Sequence, residues 1–98
     1  MKNLLFTKVR KWGREKNICD GKAQFAKMVE VCGEAAHEIT RNSTDSKAFE
    51  DAIGDIMVTV IILADIYGYD AEDCLELAWK EIKNRKGKTV NGSFIKEA

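Results

Sequence analysis

Not one of the 98 residues is proline. Proline is the strongest helix breaker, because it lacks the N–H a helix interior needs and its ring collides with the preceding turn. Without it, helices can run as far as the side-chain pattern supports. That pattern is helical: apolar residues recur at three- and four-residue spacing through most of the chain. Leu5, Val9 and Trp12, with basic residues between them, predict a first helix over about 3–16. Gly13 weakens it. Residues 17–21 read as a loop in which Asp20 can cap a second helix over about 22–40. Its apolar stripe is Phe25, Met28, Val29, Cys32, Ala36 and Ile39. Residues 42–46 are dense in turn and cap types, with Ser43, Asp45 and Ser46 all open as the next cap. A third helix over about 47–67 has Ile53, Ile56, Met57, Val60, Ile61, Ala64 and Tyr67 as its core side, and is expected to be the most buried. Gly68 fits the left-handed residue past a helix end, and Asp70 caps a fourth helix that runs to about residue 85, with Gly87 ending it. Asn91-Gly92, between two short β-prone runs, signals a hairpin. The expectation is one all-α domain over residues 1–98, with antiparallel central helices and a short C-terminal hairpin.

Charge and cysteine usage exclude several classes of function. Lys plus Arg and Asp plus Glu number 16 each, so no global charge draws the chain to nucleic acid or to an anionic membrane. No stretch approaches the roughly 18 apolar residues of a membrane span, and the N-terminal apolar run is too short for a signal peptide. Three widely spaced cysteines, without a CxxC pair and with one histidine, argue against structural zinc and fit reduced thiols in the cytoplasm. A chain this short buries a small fraction of its surface, so oligomerisation is expected.

The chemistry concentrates in two acidic stretches. Glu30 and Glu34 stand four apart on the second helix, and Asp51 and Asp55 four apart on the third. Such pairs share a helix face, and their mutual repulsion costs only a few tenths of a kcal/mol on a solvated surface. The short loop makes the two helices an antiparallel hairpin, in which residue i lies level with about residue 86 minus i. Glu34 then comes level with Ala52, and Glu30 with Ile56, so the four acids sit at one height. If their faces converge, the repulsion calls for a divalent cation, and all-oxygen ligation suits Mg²⁺ or Mn²⁺. Gly33 and Gly54, each just before the second acid, leave room for a ligand or for close helix packing.

These residues resemble the MazG-like family of all-α nucleoside triphosphate pyrophosphohydrolases, whose signature is EExxE on one helix and ExxD on the next. The matching segments run from Lys27 through Glu34 and from Glu50 through Asp55, and the likeness extends over Val9–Trp12 and Glu81–Lys88. Val31 stands where the family has the second Glu of its EE pair, and Ala52 where ExxD has its Glu. The resemblance implies a four-helix-bundle-like fold and a homodimer or homotetramer. It also implies Mg²⁺ held by Glu34 and Asp55 with help from Glu30 and Asp51, and hydrolysis of a nucleoside triphosphate to pyrophosphate and monophosphate. It makes Glu34 and Asp55 the catalytic pair, and Lys27, Lys83, Asn84, Arg85 and Lys88 the substrate-binding residues. The alternatives are a weakened relative that binds nucleotide or metal without turnover, and a helical interaction module whose acids are merely solvated.

Overall fold

The computed structural model describes residues 3–97. They form α1 (Leu4–Glu15), α2 (Gly21–Thr40), α3 (Lys47–Ile66), α4 (Ala71–Ile82), β1 (Gly87–Val90) and β2 (Ser93–Lys96). Each helix begins at a side chain that accepts a hydrogen bond from an otherwise unsatisfied N–H of the first turn. Asn3 accepts from Leu5 at 2.8 Å, Asp20 from Ala23 at 3.1 Å, Ser46 from Phe49 at 3.1 Å and Asp70 from Glu72 at 2.8 Å. Ser46 is thus the cap among the three candidates.

The last helix ends at Ile82, three residues earlier than expected. Gly87 does not end it but opens the antiparallel β-hairpin, whose register pairs Gly87 with Lys96 and Val90 with Ser93. A Cβ on Gly87 would collide with the Ile95 carbonyl, so this close approach needs glycine. Asn91 (φ 50°) and Gly92 (φ 82°) both take the left-handed conformation that a tight two-residue hairpin turn needs.

The body is the antiparallel α2–α3 hairpin with α1 laid along α3. Val31 and Ala35 from α2 and Ala52, Ile61 and Ile62 from α3 are the buried apolar residues of the two central helices. Gly13 is buried, and a Cβ there would stand 3.1 Å from Ile62, so the glycine that weakens α1 lets it approach α3 closely. Gln24 and Thr59 are buried polar residues, and the Gln24 amide donates to the Thr59 carbonyl at 3.2 Å, joining α2 to α3. Three polar contacts tie α1 to the corner between α3 and α4. Arg14 donates to both Asp65 oxygens (2.9 and 2.6 Å), Arg10 lies 3.3 Å from Asp70, and the Asn3 N–H donates to the Glu72 carboxylate at 3.2 and 3.1 Å.

Two expectations are corrected here. The apolar stripe assigned to the core of α2 points out of the chain: Phe25, Val29 and Ile39 are exposed, as are Ile53, Met57 and Val60 of α3. The residues of α2 that face α3 are instead Gln24, Val31 and Ala35. The four helices also do not close into a bundle within one chain. After the Gly68 turn α4 departs from α3 at 102°. Only its first residue, Ala71, is buried, while Leu75 and Trp79 stay 65% and 55% exposed. α3 does hold the largest set of buried residues. Among the described residues no single helix is long and apolar enough to cross a membrane.

Candidate functional site

Helix periodicity and the antiparallel register together place the acids. Glu30, Glu34 and Glu38 are successive i, i+4 neighbours along α2, and Asp51 and Asp55 form the matching row on α3. The two rows line opposite walls of one open groove of about 520 Å³, whose floor includes Ala52 and whose end carries His37. All four acids singled out in the sequence therefore share one cavity. Glu38 is a fifth that sequence reasoning left aside, although its spacing from Glu34 repeats that of Glu34 from Glu30.

The five carboxylates are not equivalent. Glu30 is drawn to Lys27, 3.3 Å away, and Asp51 to Lys47 at 3.1 Å. Both pairs are exposed intrahelical contacts, worth a few tenths of a kcal/mol at most. Glu38 accepts a short hydrogen bond from the Ser43 hydroxyl and so helps to shape the α2–α3 loop. His37 lies 3.2 Å from Arg41. Glu34 and Asp55 have no ion-pair or hydrogen-bond partner among the described residues. These two also line a second cavity of about 340 Å³, between α1, α2 and α3, together with Trp12, Gln24 and Lys27. Glu34 and Asp55 thus stand where the two cavities meet.

Val31 and Ala52, each 4% exposed, close the seam between the helices. Each follows an acid by one residue, a rotation of about 100° that carries it from the rim into the interface. An acid at either position would start deeper than Glu30 or Asp51 do. Gly33 and Gly54 do not mediate tight packing within the chain, because a Cβ at either would meet nothing within 4 Å. Of the two, Gly33 lines the groove and leaves that flank open.

The donor chemistry fits a hard divalent cation: two free carboxylates from adjacent helices, with three more acids around them. The fit is open, since no set of three His, Cys, Asp or Glu side chains converges to ligating distance among the described residues. Lys83, Asn84, Arg85 and Lys88 lie at the far end of α4 and in the hairpin, and none lines the groove. Arg85 instead faces Glu81 at 3.9 Å. No protein-family model, curated protein or solved structure matches the chain.

Proposed function

We propose that the chain is a Mg²⁺- or Mn²⁺-dependent nucleoside triphosphate pyrophosphohydrolase of the MazG-like kind. The observation that carries this reading is the position of Glu34 and Asp55, two unpaired carboxylates on separate helices at the junction of an acidic groove and a cavity bearing Trp12 and Lys27. Mg²⁺ is commonly held by one or two protein carboxylates, its other positions taken by water and substrate phosphate. Bound there, it would supply charge neutralisation for the triphosphate and a more acidic water for attack at phosphorus. The chain's own residues do the rest. Glu34 and Asp55 would hold the cation. Glu30 and Asp51, on the rim in weak lysine contacts, would assist them. Lys27, in the adjoining cavity, offsets phosphate charge. Within one chain Lys27 is the lysine that shares a cavity with Glu34 and Asp55, and Lys83, Arg85 and Lys88 lie outside both cavities.

A second reading, binding of nucleotide or metal without turnover, is favoured by Val31 and Ala52. Both are apolar and buried where the family has acids. One assay separates the readings. The protein is incubated with a panel of ribo- and deoxyribonucleoside triphosphates plus Mg²⁺ or Mn²⁺, and pyrophosphate and monophosphate are quantified. The proposal expects turnover that disappears in Glu34→Gln and Asp55→Asn. Metal-dependent thermal stabilisation without turnover would establish the second reading. Absence of both effects would overturn both and leave an interaction module with solvated acids.

A further inference from the structure

The cavity between α1, α2 and α3 holds polar groups that the cation chemistry does not use. Gln24 and Thr59 both line it, although they are only 6% and 5% exposed. The Gln24 amide donates from Nε2 to the Thr59 carbonyl at 3.2 Å. A carbonyl only accepts, so this contact fixes which end of the amide is the nitrogen. The other end, Oε1, accepts no hydrogen bond among the described residues. The sealed side-chain atom without a hydrogen bond is Arg10 Nη1 and not Gln24 Oε1, so this oxygen has open space beside it. The cavity that Gln24 lines supplies that space. The Thr59 hydroxyl donates its one hydrogen to the Ile56 carbonyl at 2.7 Å, so only acceptor capacity is left to it.

A buried amide oxygen left idle costs stability, which favours a ligand that donates to it. Trp12, on the α1 wall of the same cavity, offers a face on which a planar ring can stack. Glu34 and Asp55 stand where this cavity meets the acidic groove. A ring seated beside Trp12 can therefore carry phosphates that reach a cation held by those carboxylates.

We propose that this cavity takes the nucleobase, and that Gln24 selects bases whose edge carries an exocyclic amino group, adenine and cytosine, over their carbonyl counterparts, hypoxanthine and uracil. The amino group presents two N–H donors to the acceptors of Gln24 and Thr59. In the counterparts a carbonyl oxygen takes its place, and its lone pairs meet those of Gln24 with no hydrogen between them. This selection rests on the nucleotide reading proposed above and adds the class of base to it. The test compares matched pairs, CTP with UTP and ATP with ITP, each with Mg²⁺. The amino member of each pair should show kcat/KM at least about tenfold higher, because a site with a buried acceptor rejects a partner that leaves it unpaired. Equal values in either pair, or a preference for UTP or ITP, would overturn the selection and leave the proposed hydrolysis standing. If no nucleotide is hydrolysed, the hydrolase reading fails, and calorimetric titration of the same four intact nucleotides decides the selection. Tighter binding of CTP and ATP by the same factor supports it, and equal affinities or no binding overturn it. Gln24→Met keeps the length of the side chain and removes the acceptor. It should raise KM for CTP and ATP with little change in kcat, so that the members of each pair become nearly equal. An undiminished preference in the folded variant would overturn the assignment to Gln24. Because that variant also loses the bond to Thr59 and can fail to fold, the CTP analogue lacking the 4-amino group makes the same deletion on the ligand. The wild type should use it at least about tenfold less well than CTP, and equal use would contradict the proposal.

Discussion

The two faces of the α2–α3 hairpin are built from the same helices at the same spacing, yet they have opposite character. One carries carboxylates every four residues, solvated, with weak lysine partners at the rim and two free acids at the centre. The other carries apolar side chains every three or four residues, and they too lie in solvent in the isolated chain. Exposure of charge costs little in water, whereas exposure of so much apolar area forgoes stabilisation of about 25 cal/mol per Å². The acidic face is solvated as one chain makes it, and in the function proposed above it takes up a cation. The apolar face has no cover within the chain. Between them runs a thin seam of Val31, Ala35 and Ala52, which keeps the two chemistries apart.

The sharpest way to break this comparison is to move charge from the rim into the seam. Ala52→Glu puts a carboxylate where the residue is 4% exposed, and it should destabilise the protein by about 2–3 kcal/mol in EDTA. If the new carboxylate reaches the groove cation, Mg²⁺ should restore much of the lost melting temperature. Equal melting temperatures for variant and wild type in EDTA would show that the seam is not closed. The ranking of the acids comes next. Glu34→Gln should abolish detectable metal binding, a loss of at least about 100-fold, the upper end of what loss of even an outer-shell partner costs, while Glu30→Gln should cost only a few-fold. Equal losses would place Glu30 at the centre and not on the rim.

Smaller effects test what surrounds the two faces. Gly33→Ala and Gly54→Ala fill space that nothing in the chain occupies, so each should stabilise the fold by about 0.5–1 kcal/mol in chemical denaturation. Destabilisation would mean that a neighbour approaches those flanks. The corner that aims α4 gives the smallest effect. Hydrogen bonding from Arg14 holds the Asp65 carboxyl below the usual carboxylate range, against the opposing pull of partial burial. The unfolded state therefore binds this proton more readily. The contribution is present above the ordinary carboxylate value of about 4 and is lost as pH falls toward the folded one. Melting curves across that window should fall less steeply for Arg14→Ala than for wild type.

Much of this was legible in the sequence, and the reasons are local. The caps at Asp20 and Asp70, the left-handed Gly68 and the Asn91-Gly92 turn are each set by a few adjacent residues. The shared height of the two acidic rows followed from a short loop and a common helical rise. What periodicity does not encode is the identity of the covering layer. Phe25, Val29, Ile53 and Met57 read as core because their spacing is that of a buried stripe, but spacing is the same whether the cover lies in the chain or beyond it. The direction of α4 was hidden for a related reason, since it is set at a corner by contacts between Arg10, Arg14 and Asn3 on α1 and Asp70, Asp65 and Glu72, far apart in sequence. The asymmetry among the acids was half visible. The family pattern drew attention to positions 31 and 52, but only the packed seam shows why Glu30 and Asp51 stay at the rim.

The central claim is that Glu34 and Asp55 form a cation site on one face of the hairpin, and titration of Mn²⁺ followed by its electron paramagnetic resonance tests it most directly. The wild type should bind the ion, Glu34→Gln and Asp55→Asn should each abolish binding, and Val29→Glu, on the opposite face, should leave the affinity of the folded protein unchanged. Binding that survives in both acid variants, or no binding by the wild type, would contradict the account.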